Sequence, residues 1–110
     1  MPIPDTLHEL EAIERERATY REAMAALHQL LQSDPTLRPP MVAGIYVSAG
    51  RAHLRLLVAD REQLNLWAAQ LIELGDVRQQ TRDKHSSWVQ QAGRVKGWTI
   101  TAHITCTVPS

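Results

Sequence analysis

His53, His103 and Cys106 are the residues of this 110-residue chain whose types could do chemistry in company. Both histidines occupy polar positions of alternating segments, so strands sharing one sheet would bring the imidazoles together as half of a metal site or as a proton-transfer pair. Zinc normally takes more protein ligands than a pair of histidines, and no Asp, Glu or Cys at ligand spacing accompanies them. The expectation is hydrogen-bonded surface histidines, with no metal and no cofactor. Cys106 falls among the apolar positions of its segment, where a thiol is a small buried hydrophobe and not a nucleophile. His8, His28 and His85 sit in no pattern. The glycines at 44, 50, 75, 93 and 97 lie in or near strands and turns and form no phosphate loop or nucleophile elbow. No catalytic residue is identified, and a non-enzyme is expected.

The same polar positions suggest a binding face. Tyr46, Arg51, His53 and Arg55, with Trp88, Arg94 and His103, would place cations beside aromatic rings, as surfaces that stack single-stranded nucleic acid do. Against that, twelve basic residues are balanced by twelve acidic ones, and the basic footprint of a nucleic-acid binder is missing. A solvated or protein-contacting face is the stronger expectation, nucleic acid the alternative. A small-ligand sensor using Tyr46, His53 and His103 is a weaker one, since it needs a pocket.

These side chains depend on elements whose period changes along the chain. Met41–Ser48 and Arg51–Val58 alternate around Ala49-Gly50, as a tight hairpin does. Pairing Ser48 with Arg51 aligns Val47 with Ala52, Ile45 with Leu54 and Ala43 with Leu56 on an apolar face, leaving Tyr46, Arg51, His53 and Arg55 on the other. Asp60 is placed to cap a second helix, with Gln63 three positions on and Gly75 as its stop. Its face of Leu64, Trp67, Ala68, Leu71 and Leu74 is the natural cover for the hairpin. Residues 76–82 read as a polar edge strand and 83–86 as a turn. Trp88–Val95 and Trp98–Val108 follow, joined by Lys96-Gly97. If Val95 pairs with Trp98, Val89 joins Ile104 in the core, and Trp88 lies beside Thr105 on the polar side with His103.

Ahead of all this, Thr6 and Glu9 form a capping-box pattern, and one long helix is expected over residues 5–33, ended by Ser33-Asp34-Pro35. Leu10, Ile13, Arg17, Tyr20, Met24, Leu27 and Leu31 alternate gaps of three and four, the rhythm of a helix seam. Arg17 in mid-seam fits a helix meeting another chain better than one buried in its own fold; packing of the same apolar stripe on the chain's own sheet is the alternative. Glu9 and Glu14 beside the seam disfavour a parallel self-pair, in which Glu would face Glu, so antiparallel self-pairing or a different partner helix is expected.

The expected architecture is a single α+β domain over residues 1–110, a two-layer sandwich. It comprises the long helix, a Pro-rich connector over 34–40 and a compact unit over 41–110 whose antiparallel sheet has four to five strands in hairpin, helix, hairpin order. With one cysteine, no leader pattern and no apolar run of membrane length, a cytoplasmic protein is expected, and ten Arg against two Lys suggest a bacterial, GC-rich source. The function expected is a small interaction or regulatory module, homodimeric or bound to a partner protein, and not a membrane protein.

Overall fold

The computed structural model describes the backbone of residues 3–109 and the side chains of residues 7–109. Helix α1 (Ile3–Ser33) is followed by strands β1 (Val42–Ser48) and β2 (Arg51–Leu57), helix α2 (Arg61–Ala68), and strands β3 (Leu71–Ile72), β4 (Arg78–Thr81), β5 (Ser86–Val95) and β6 (Thr101–Pro109). The class is α+β as expected, with both helices on one face of a six-stranded sheet of order β1-β2-β6-β5-β3, in which β4 also pairs with β5. The sheet is mixed, because β2 and β6 run parallel while the other pairs are antiparallel. Residue alternation is the same in either direction, so the sequence pattern carried no sign of this parallel junction.

The first hairpin has the expected register, from Ser48 opposite Arg51 to Ala43 opposite Leu56. Ala49 and Gly50 both take positive φ, 52° and 75°, the backbone of a turn whose twist matches that of the strands. The second hairpin departs from expectation. Arg94 pairs with Thr101, Val89 with Cys106 and Trp88 with Thr107, and the Val95 amide donates to the Ile100 carbonyl across a longer turn containing Gly97 at φ 85°. The turn thus takes in Trp98 and Thr99, and β6 starts at Thr101. The slip is an even one, so every side chain keeps its expected face: Val89, Ala102, Ile104 and Cys106 are buried, and Trp88 stays on the polar side.

Helix α2 is shorter than its apolar spacing suggested. Asp60 caps it as expected, its carboxylate accepting from the Gln63 amide at 2.9 Å. The helix ends at Ala68, however, well before Gly75, and Leu71 enters the core from the short strand β3, while Leu74 is half exposed. Gly93 explains why β3 can lie there. A Cβ on it would fall 2.9 Å from Leu74 Cδ2, 3.0 Å from Leu71 Cβ and 3.1 Å from the Ile72 carbonyl oxygen. Leu74 can swing aside, but the β3 backbone cannot. Gly93→Ala is therefore expected to lower the unfolding free energy by about 1–3 kcal/mol, the usual cost of overpacking, measurable as a lower urea midpoint.

The two helices divide the sheet between them. Helix α2 packs on β5 and β6, placing Leu64 and Trp67 over Ile104, Cys106 and Val89 in one core cluster, and α1 covers the β1–β2 hairpin that α2 was expected to cover. The connector is tied down and is no free spacer. Leu37 is buried, and the buried Gln63 side chain donates to the Thr36 carbonyl at 3.1 Å and accepts from the Arg38 amide at 2.9 Å.

The contact of α1 with the sheet uses a stripe other than the expected seam. Ala23, Ala26, Leu27 and Leu30 are buried at the i, i+3, i+4, i+7 spacing of one helix face, and small alanines let the helix lie close to the strands. Only Leu27, with Leu31 partly buried, belongs to both sets. Leu10, Ile13, Tyr20 and Met24 are exposed, as is Leu7, and Arg17 lies in solvent with Glu14 3.7 Å away. At 3.6 residues per turn, the exposed seam is rotated roughly 110° from the docked stripe. The first part of α1 extends past the sheet, giving the molecule an elongated outline of 60 × 33 × 23 Å. The helix begins at Ile3, so Thr6 lies inside it and not at its cap; the Thr6 side chain falls outside the described residues.

Candidate functional site

The sheet face turned away from the helices carries the residues singled out above, and the topology gathers part of them. Tyr46 and His53 are cross-strand partners on β1 and β2, while the parallel β2–β6 junction sets His103 beside Arg55. The Tyr46 and His53 rings stack with centroids 4.6 Å apart and planes 7° from parallel. His53 Nδ1 lies 3.3 Å from His103 Nε2, and the Tyr46 hydroxyl lies 3.5 Å from that same nitrogen. The Arg55 guanidinium sits over the Tyr46 ring, 4.8 Å from its centroid. An open groove of about 460 Å³ runs along this cluster, lined by Tyr46, Arg55, Gln90, His103 and Thr105 among others, and a smaller depression beyond His103 includes Asp76 and Arg78.

Other members of the expected face are engaged elsewhere. Arg94 forms a two-pronged pair with Glu73, both contacts 3.1 Å, and donates to the Trp98 carbonyl. Hydrogen bonding to Arg94 holds the Glu73 carboxyl below its usual range. Trp88 is covered by Arg82, whose guanidinium lies 4.9 Å from the indole centroid, and Arg51 stands exposed at the hairpin end. Because cations of the same chain already cover Tyr46 and Trp88, less ring surface is open to stacking bases than the residue types suggest. Cys106 is fully buried, and burial pushes its thiol above the usual value, away from the thiolate a nucleophile needs.

His103 is the perturbed group of the cluster. Partial burial, then the nearby His53 and Arg55, depress its pKa below the usual histidine value. The folded chain thus resists protonating an imidazole that the unfolded chain protonates readily, so stability from this source is complete above about pH 6.5 and declines as pH falls below it. In a ring-proton titration followed by NMR, His103 is expected to protonate at a pH below the usual histidine value. His103→Gln should flatten the fall in urea midpoint between neutral and mildly acid pH.

Comparison with family models, with curated proteins and with solved structures finds no match to this chain. No described helix is long and apolar enough to cross a membrane. Among the described residues, no three of His, Cys, Asp and Glu come together as a metal-binding group. The docked stripe of Ala23, Ala26 and Leu30 was missed by sequence reasoning, although its spacing was present beside the stronger Leu, Ile and Met seam.

Proposed function

We propose that this chain is a small non-enzymatic interaction module that associates with a second copy of itself through the seam of α1. What supports it is a helix carrying two apolar stripes, of which its own sheet uses one. Leu10, Ile13, Tyr20 and Met24 remain exposed along the other, on a helix that reaches beyond the domain. The preferred arrangement is antiparallel. An axis between Arg17 and Tyr20 would set the guanidinium of one copy against the tyrosine ring of the other and bring Glu14 toward Arg21, replacing the Glu-to-Glu contacts of a parallel pair. Stopping the contact near Met24 would leave the sheet-docked turns undisturbed.

Light scattering behind size exclusion tests this on the intact chain. A mass twice that of the 12.4 kDa chain at micromolar concentration is the expected result, and a monomer at several hundred micromolar would overturn it. A regulatory or adaptor role in the cytoplasm would follow from such a dimer presenting its two polar sheet faces outward.

A further inference from the structure

The two edges of the sheet are finished differently. On one side, β5 is flanked by β3 and β4, two short strands, the second fully exposed and carrying Arg78 with Arg82 just after it. Interrupted, charged edges of that kind deter pairing with another chain. On the other side lies β1, seven residues from Val42 to Ser48 in unbroken register with β2, with no charged residue and no proline. The Val58 amide donates to the Thr105 carbonyl of β6, so by alternation the backbone groups of Arg51, His53, Arg55 and Leu57 point toward β1. Their partners Ser48, Tyr46, Gly44 and Val42 point inward, and the amides and carbonyls of Ala43, Ile45 and Val47 face outward along the edge. No described strand pairs with them.

A groove lies on each side of this edge. On the polar side, the groove of about 460 Å³ runs over Gly44, where a Cβ would meet nothing within 4 Å, to Arg55 and His103, and its lining includes no carboxylate. Arg55 has no carboxylate partner among the described residues. On the helix side, a groove of about 560 Å³ separates Val47 from Ala12 and Thr19 of α1. We propose that the β1 edge takes up an extended segment of a partner protein as a further strand, with an acidic side chain over Gly44 against Arg55 and apolar side chains alternating toward α1, one of them beside Val47. Main-chain bonds to Ala43, Ile45 and Val47 supply attraction whatever the sequence, and the two grooves read alternate side chains. Strands lie about 4.8 Å apart, so the incoming backbone runs about 10 Å from β2, a gap that Arg55 and a glutamate span together because Gly44 puts no side chain between them. A second copy of β1 would satisfy the same backbone groups but brings no carboxylate to Arg55, so an acidic segment of a different protein is the better occupant.

The probe is a fluorescein-labelled nine-residue peptide alternating Thr and Val with Glu at its centre, titrated with the intact protein and read by anisotropy. Saturable binding is expected, about three- to tenfold weaker when the central residue is Lys. Arg55→Glu should reverse that preference, whereas Lys96→Glu, in the β5–β6 turn, should leave it unchanged. Ala43→Pro removes an outward amide and no bond within the sheet, and should weaken both peptides alike. A peptide N-methylated at its Val residues should not bind. With the Glu peptide bound, hydrogen exchange followed by NMR should slow at the amides of Ala43, Ile45 and Val47. No saturable binding, an unchanged charge preference in Arg55→Glu, or slowed exchange at β4 instead would overturn the proposal. Exchange already slow at those three amides in the free protein, and faster on dilution, would give the edge to a second copy and overturn it as well.

Discussion

Replacing Ile13 and Met24 together by lysine is expected to convert the proposed dimer to monomer while leaving the fold intact. Both side chains are nearly half exposed, at 44% and 45%, so in the single chain they add little to stability, and surface changes of this kind usually fall within about 0.5 kcal/mol. In a two-fold pair each substitution occurs in both copies. Burying one such side chain fully is worth about 1.5–3 kcal/mol, of which a side chain already more than half covered has a little under half left to gain, so at about 1.4 kcal/mol per tenfold the four losses weaken association by roughly a hundred- to several-thousandfold. The lysine charges placed in the seam add to that. Light scattering reads the mass and circular dichroism the thermal midpoint. Ala23→Lys, on the docked stripe, should instead unfold the domain, because it forces a charge between helix and sheet. Arg17→Leu provides the converse, removing the one charged seam position and tightening the pair. If native and doubly substituted chains have the same mass at high concentration, the seam is not the working surface.

The largest effect on stability is expected at Trp67. Its side chain is fully buried in the core cluster between α2 and the sheet, the largest side chain to be so. Trp67→Ala should cost about 3–5 kcal/mol, the range for aromatic truncation in a core, and in a small domain that takes up most of the total. Chemical denaturation followed by far-ultraviolet dichroism checks it, since loss of the tryptophan also alters fluorescence. Trp67→Phe separates two contributions. The indole Nε1 is buried with no hydrogen-bond partner among the described residues, at a cost of about 1–3 kcal/mol that Phe does not carry. Phe loses ring volume but also removes that unmatched donor, so its cost should be well under half that of Ala. Equal costs for Phe and Ala would mean that the indole nitrogen is matched in solution.

The first hairpin was legible residue by residue because alternation and the two-residue Ala49-Gly50 turn fix register together, and a slip by one would have turned Leu54 and Leu56 to solvent. The second was legible only in its faces. Lys96-Gly97 looked like the whole turn, but a turn longer by Trp98 and Thr99 preserves the same alternation, and Trp98 packs on the core rim with its indole donating to Gln29 of α1. Helix α2 was overextended because Leu71 and Leu74 continue a helical spacing by coincidence, and the gap left by Gly93 lets Leu71 enter the core from a strand. In α1 the larger side chains drew attention to the seam, whereas closeness to a sheet favours alanine.

Local pattern by itself determined the element types outside β3, the cap at Asp60, the turn of the first hairpin, and which face the residues of β1, β2, β5 and β6 take, because side-chain direction follows from backbone period within a few residues. The tertiary structure alone decided which apolar faces meet. Two helices and several strands offer more than one way to cover the same apolar surface, and the choice depends on contacts between segments far apart in sequence. That competition set β6 parallel to β2, gave the sheet to the alanine stripe of α1 and left the seam from Leu10 to Met24 in solvent. It also brought His103 to His53 and Tyr46, a meeting of β6 with the first hairpin that alternation permits but cannot specify.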